Sequence, residues 1–454
     1  MPRHGSMQFV NPKHSTPLLI TLLLASAGCP VAPAPSELDT QLLALLEINN
    51  IDPIEKPAVD QAKVALGQAL MFDKELSGNR NISCATCHHP TLNTGDGLSL
   101  ALGEGGAGLG PLRTIPTDAN GGNVFIPRNS TPVFNRGTFR TMFWDARVEQ
   151  MSDGSLRTPA GSDLLPGLDN ALAAQAMFPV TSREEMRGQP GDNELADIAD
   201  DDFKAIWQAL MNRILAIADY RTMFAAAFPG VAEEDLTFAH AANAIAAFEE
   251  AHWTLDDAPF DDYLRGDLAA LSDDAKRGGI LFYGDAGCVR CHEGTHFTDE
   301  QFHNVGVPPL GPGLGDGDDG QSDFGRERVT GNDTDRYKFR TGTLRNVAAT
   351  GPWFHNGAFT TLEAAVRHML DPMTSAMIYN VSQLPEELRD SVGLDELPDI
   401  LGDLDSRVAD PVQLSDAQVA QLIAFLESLT SPSLPDLPGN DVPDSVPSGL
   451  PVND

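Results

Sequence analysis

The sequence predicts a mainly α fold with few strands, built from two similar units in tandem with long loops. Three observations lead there. Apolar residues recur at spacings of three and four through several stretches, the mark of amphipathic helices. Strand-like patterns are scarce, while Gly, Asn and Pro crowd residues 92–141, which read as loops wrapping a site. The order helix, short apolar pair, C-x-x-C-H also occurs twice, in "KVALGQALMFDKELSGNRNISCATCH" and in "LSDDAKRGGILFYGDAGCVRCH". At 454 residues the chain is too long for one core, and two domains of roughly 150 to 200 residues are expected.

In chain order, Arg3, His4, Lys13 and His14 precede the apolar run "PLLITLLLASAG", too short to span a bilayer as a lone helix. Residues 1–28 therefore read as an export signal. The run ends "LLLASAGCP", which resembles a lipoprotein cleavage box at Cys29, with Ser26 where such boxes usually carry Leu. Lipidation of Cys29 is the expectation, and plain secretion with a spare thiol the alternative; both place the mature chain in the periplasm or cell envelope. A linker (29–40), rich in Pro and Ala, leads into a first unit (41–262), a second unit (263–430) and a Pro- and Asp-rich tail (431–454) expected to be disordered.

Helices are expected over "ELDTQLLALLEI", "AVDQAKVALGQALMFD", "DFKAIWQALMNRILAIADYRTMFAAAF" and "LTFAHAANAIAAFEEAHW". Capping boxes at Thr360/Glu363 and Ser415/Gln418 start two more. "GPGLGDGDDGQSDFG" (311–325) has acidic residues without EF-hand spacing and reads as a solvated loop. The segment 149–170 suggests no role. A net charge of −35 argues against nucleic acid or an anionic membrane surface as partner; it fits a basic protein partner, or solubility alone.

Cysteine usage is the sharpest signal. Setting Cys29 aside, the remaining four form two pairs, Cys84/Cys87 and Cys288/Cys291, each followed at once by a histidine, His88 and His292. Two thiols that can form thioethers with porphyrin vinyl groups, and a histidine to ligate iron, are what a c-type haem needs. A zinc site would require the pairs to meet across nearly half the chain and gives no reason for the two histidines. A thioredoxin-like site would need a βαβ pattern, which is missing. Two covalently bound c-type haems in two cytochrome-c-like domains are therefore expected.

The stretches "LSGNRNISCATCH", "RNSTPVFN", "MFWDAR", "FPVTSREEM", "GCVRCHEGTHFTDEQFHNVGV" and "KFRTGTLRNVAATGPWFHNGAFTTLEAAVRHM", with "LIAFLESL" after them, resemble the bacterial di-haem cytochrome c peroxidase and MauG superfamily over residues 60–430. In peroxidases of that family a methionine on the helix after a "FHNG"-like turn ligates the second haem. Met369, fourteen residues past His355, matches it; MauG-type proteins carry tyrosine. Core packing of Met369, or neighbouring His368 as the ligand, are the alternatives. Many family peroxidases cap the first haem with a histidine about sixteen residues beyond the motif. Here that stretch is "SLALGEGGAG", where Glu104 is nearest by count, and His89 adjoins the proximal ligand. The resemblance thus implies a sixth position at the His88 haem that is vacant or water-bound. Gln175 and Glu185 match the glutamine and glutamate that line the family's distal pocket, with Glu185 as acid/base, Gln175 orienting peroxide and Phe143 shielding the pocket; the alternative for Glu185 is a surface ion pair, a duty better suited to Glu184. Trp144 matches the bridging tryptophan. Asn129, Thr350 and Pro352 match a calcium site between the domains.

The function implied is reduction of hydrogen peroxide to water. Electrons from a small donor, a cytochrome c or a cupredoxin, would enter at the His292/Met369 haem and pass to the His88 haem. Two rivals stand beside it: a MauG-like oxidase that modifies a partner protein, and a non-catalytic di-haem electron carrier. The family often dimerises, and this sequence does not decide whether the chain forms a homodimer.

Overall fold

The computed structural model describes residue 1 and residues 34–452, apart from 119 and 319; the export signal and Cys29 lie outside the described residues. Two helix crossings organise the chain. The Gln61–Phe72 helix packs on the Phe238–His252 helix, and the Asp273–Tyr283 helix packs on Asp416–Glu427. Each crossing is made over a glycine. A Cβ on Gly67 would lie 1.8 Å from the Ala244 carbonyl oxygen, and one on Gly278 would lie 1.9 Å from that of Gln421. Contacts this short exclude any side chain, so the two glycines let paired backbones touch. In each case the next neighbour is a phenylalanine one turn on, Phe248 or Phe425. The repeat seen in the sequence is thus a repeat of packing.

The Phe238–His252 helix is buried over nearly its whole length, as its Ala-rich sequence with few charges requires. Around it lies a first core with Leu70, Phe72, Trp207, Phe224 and Trp253; a second core gathers Phe260, Phe282, Phe297 and Phe425. Strands are few: a three-stranded antiparallel sheet (Thr141–Met142, Val148–Gln150, Leu156–Arg157) and a pair (Phe302–His303 with Phe339–Arg340). Residues of the 149–170 segment lie over the first core, where Asn243 donates to the Gly167 carbonyl and accepts from the Asp169 N–H.

Several expectations are corrected. The long helix expected over 202–228 is two, Phe203–Ala216 and Ala218–Ala227, broken at Ile217, whose backbone is extended. Neither Gly nor Pro causes the break. The turn brings Tyr220 and Phe224 into the first core and lets the Tyr220 hydroxyl donate to buried Asp73 at 2.7 Å, so tertiary burial overrides helix propensity. The helix expected to start at Thr360 is capped instead by Thr361, whose hydroxyl accepts from the Ala364 N–H, and no box forms with Glu363. At Ser415 the box with Gln418 is present. The acidic loop at 311–325 is paired as well as solvated: Asp323 binds buried Arg128, and Asp316 binds Arg328.

The two ends of the chain cross over. The Glu37–Ile48 helix, assigned from sequence mostly to the first unit, buries Leu42 and Leu46 in the second core. Asp39 in its first turn pairs with Lys276 at 2.7 Å; burial works against its charge, but Lys276 with the Ser36 and Tyr263 hydroxyls holds its carboxyl down to about 2. The tail expected to be disordered packs on the first core through Leu434, Leu437 and Val446. Its Ser448 hydroxyl donates to Asp73 at 2.7 Å. The Asp441 carboxylate, 1% exposed, accepts from Trp253 Nε1 at 2.8 Å and meets His252 Nδ1 at 2.7 Å. Low complexity hid apolar residues spaced to reach one surface. Asp441→Ala strands the Trp253 donor in the core and should lower unfolding free energy by about 2 kcal/mol, read from chemical denaturation; an unchanged midpoint would mean the tail contributes nothing.

Candidate functional site

The first C-x-x-C-H lies on one helical turn, Cys84–Cys87, ending where the His88 N–H donates to the Cys84 carbonyl at 3.0 Å. The second is a 3-10 turn, and the His292 N–H donates to the Cys288 carbonyl, also at 3.0 Å. Both imidazoles are then fixed in the same way. His88 Nδ1 lies 3.1 Å from the Thr94 carbonyl oxygen, and His292 Nδ1 lies 2.9 Å from that of Phe297. Thr94 and Phe297 both adopt positive φ, 60° and 54°, an uncommon conformation that turns each carbonyl onto its ring. Burial keeps both histidines below their ordinary pKa and hence neutral. A neutral ring donating Nδ1–H to a carbonyl presents its Nε2 lone pair, the arrangement of a metal-ligating histidine.

Zinc and redox-disulfide readings do not fit. Cys84 packs against the first core and Cys288 against the second. Burial pushes both thiols up to about 12, the opposite of a reactive nucleophile. Among the described residues, the one cluster with metal-ligand spacing is Cys291, Asp299 and His303. His303 there is an ion-pair partner: Asp299 at 2.9 Å, then neighbouring Cys291, then Asp405 at 2.7 Å outweigh burial and raise it to about 10.

A haem fits. Beside His292 opens a largely apolar cavity lined by Cys288, Cys291, Met369, Trp144, Arg136 and Arg345. Nη1 of Arg136 and Nη2 of Arg345 are buried without a hydrogen-bond partner, which suits a group that carries its own carboxylates. Met369 faces this cavity from the last turn of the Leu362–Leu370 helix. His368 does not: its ring is fully buried between Phe354 and Phe359, with Nε2 2.8 Å from the Val305 carbonyl oxygen.

Asn129, Thr350 and Pro352 line the same cavity. The Asn129 carbonyl accepts from Trp144 Nε1 at 3.0 Å, so the bridging candidate and the calcium candidate meet. Trp144 also accepts, through its carbonyl, the Arg340 N–H at 2.8 Å, which ties "MFWDAR" to the second unit.

At the first motif, Glu185 is close enough for its charge to raise both Cys84 and Cys87. Burial pushes its own pKa up, with Arg147 and Ser182 opposing and Glu184 adding to the rise. Arg147 in turn lies over the Phe143 ring, 3.5 Å from its centroid, and pairs with Asp145 at 3.3 Å. Glu184 is exposed, whereas Glu185 and Gln175 are half-buried, Gln175 on the Ala171–Ala176 helix. The "SLALGEGGAG" stretch is clamped. Buried Arg113 donates to three of its carbonyls, Leu102, Gly108 and Gly103, each at 2.8 Å. Glu104 is held by the Asn79 and Asn81 amides at 2.7 and 3.0 Å, and the N–H of Glu104 donates to the Glu184 carbonyl. His89 turns away, its Nδ1 accepting from the Thr91 N–H.

Sequence reasoning missed Arg113, Arg136, Arg147 and Arg345. Arg147 and Arg345 lie inside the quoted stretches "MFWDAR" and "KFRTGTLRNV", and Arg136 directly follows "RNSTPVFN", but nothing local distinguishes a buried guanidinium from a surface one.

A sequence model of the family "Di-haem cytochrome c peroxidase" matches residues 61–269. The chain is 31% identical over 380 residues to the methylamine utilization protein MauG of Methylorubrum extorquens, covering 83% of this chain and 81% of that one. It is 30% identical over 351 residues to the cytochrome c551 peroxidase of Pseudomonas aeruginosa, covering 76% and 83%. A crystal structure of a MauG-like protein associated with microbial copper homeostasis superposes with a TM-score of 0.58 at 26% identity, over 85% of this chain and 94% of that one. The chain belongs to the di-haem cytochrome c peroxidase family, the oxidoreductases that carry two c-type haems.

Proposed function

We propose that this protein is an exported di-haem cytochrome c peroxidase that reduces hydrogen peroxide to water, H2O2 + 2e− + 2H+ → 2H2O, with electrons from a small basic redox protein. The observation that carries the reading is an asymmetry. Met369 faces the cavity at His292, whereas the stretch beyond His88 offers no histidine and is clamped by Arg113. When bound, the two haems supply the electron storage and the iron that takes peroxide. Met369 would hold the second haem through its sulfur, which would suit electron entry there. At the first, Glu185 takes the proton from one peroxide oxygen and returns it to the other as that oxygen leaves, and Gln175 orients the molecule. A carboxyl raised by burial and restrained by Arg147 is better suited than an exposed one to hold a proton and pass it on. Trp144, on the wall of the His292 cavity, relays charge, and calcium at Asn129, Thr350 and Pro352 would brace the same region. The chain's first unit is the peroxidatic one and its second the electron-accepting one. No helix among the described residues is long and apolar enough to cross a membrane, so membrane contact would come through a lipid on Cys29.

The lack of a capping histidine, together with the MauG relative, favours a second reading, oxidation of a residue on a partner protein. Stopped-flow mixing of the fully oxidised protein with peroxide, with and without a reduced donor cytochrome, separates the two. Immediate reaction followed by donor turnover supports the peroxidase; a long-lived oxidised state that ignores the donor supports partner oxidation; no reaction before pre-reduction contradicts an open His88 site.

A further inference from the structure

The His292 cavity holds more positive charge than the side chains around it answer. Arg136, Arg340 and Arg345 all line it, and each is no more than 5% exposed. Arg136 gives Nε and Nη2 to the Pro132 carbonyl, at 3.1 and 2.9 Å, which leaves Nη1 buried without an acceptor. Arg345 gives Nη1 to Asp261 at 2.8 Å and Nε to the Thr295 carbonyl at 2.9 Å, which leaves Nη2 likewise. The cations also feel one another. Burial drives Arg136 well below its ordinary pKa, the Arg340 charge pushes the same way, and Glu300 and Glu249 pull back only weakly. Burial, with the Arg345 and Arg136 charges adding to it, brings His296 down to about 4. A buried guanidinium nitrogen facing no acceptor is costly, because it has lost its hydration without replacement. Such a pattern calls for an anion.

We propose that Arg136 Nη1 and Arg345 Nη2 form the seat for the propionate carboxylates of the haem held by His292. The inference rests on the reading that Cys288 and Cys291 attach that haem. Thioethers grip the porphyrin at its vinyl edge, and its two carboxylates sit on the opposite edge, where the protein has to supply cations. The seat draws on both halves of the chain. Arg136 follows the Phe134–Asn135 pair, and the N–H of Asn135 donates to the Trp253 carbonyl of the first core, whereas Arg345 is held by Asp261 and Thr295. Arg136 is therefore a positioning residue through which the first unit fixes the second haem and raises its potential, because a carboxylate paired with a guanidinium stabilises the oxidised iron less than a free one does.

The test uses the full-length holoprotein and needs neither peroxide nor a donor protein: propionate bending bands by resonance Raman, and the midpoint potential of the Met369 haem by redox titration. Arg136→Gln should shift the bands and lower the midpoint, and Arg136→Lys should restore part of both. Arg277→Gln, at an exposed arginine of the Asp273–Tyr283 helix away from the cavity wall, should change neither. Unmoved bands and midpoint in Arg136→Gln, no recovery with lysine, or an equal change in Arg277→Gln would overturn the proposal. Because no turnover is read, its failure leaves the peroxidase reading standing, and failure of peroxide reduction leaves the seat standing.

Discussion

Met369→Ala is expected to abolish the sulfur-to-iron absorption band of the oxidised protein. It should also lower the midpoint potential of the second haem by on the order of 0.1 V, within the roughly 0.8 V that axial ligation spans. A thioether favours the reduced iron; water or hydroxide in its place favours the oxidised one. Electron entry from the donor should then become unfavourable by more than a factor of ten, since about 59 mV is tenfold for a one-electron step. His368→Ala is the discriminating control. Its ring is tied to the Val305 carbonyl and packed between Phe354 and Phe359, so its loss should reduce thermal stability and leave the absorption band and the potential in place. If the two variants exchange these outcomes, the ligand has been misassigned to Met369.

Glu185→Gln should reduce peroxide turnover by about 10² to 10⁴, the span typical of a removed acid/base, while both haem spectra and the Met369 potential stay as they are. Glu184→Gln, on the exposed neighbour, should leave the rate close to that of the parent. The pH profile carries the sign. A group that accepts a proton has to be ionised first, and burial has raised the Glu185 pKa. The acid limb of the rate should therefore lie above the ordinary carboxylate range, with activity rising as pH passes through it. Arg147 pulls that pKa down. Arg147→Gln should thus move the limb to higher pH, and Glu185→Gln should remove it. A limb that persists in Glu185→Gln belongs to another group.

Legibility in the sequence divides along physical lines. Signals held within a dozen residues survived: the Glu37–Ile48 and Asp416–Glu427 helices, the Ser415 cap, and the two C-x-x-C-H turns with their histidines. What depends on distant partners did not. Leu42 and Leu46 announce a buried face but not which core receives it, and the second core does. Residues 431–452 read as low complexity, yet Leu434, Leu437 and Val446 are spaced to reach the first core, where Asp441 finds His252 and Trp253. Ile217 breaks a helix that its own neighbours favour, because Asp73 and the first core reward the turn. The buried arginines lay deepest out of sight, since the acceptors of Arg345, Asp261 and the Thr295 carbonyl, are distant in sequence and Nη1 of Arg136 has none among the described residues.

The central claim is that the two irons are unlike: one closed by sulfur, the other open to a small oxidant. Low-temperature electron paramagnetic resonance of the fully oxidised resting protein tests it most directly. One low-spin signal with histidine–methionine character beside one high-spin signal, in equal amounts, is the predicted spectrum. Two low-spin signals with no high-spin component would contradict it.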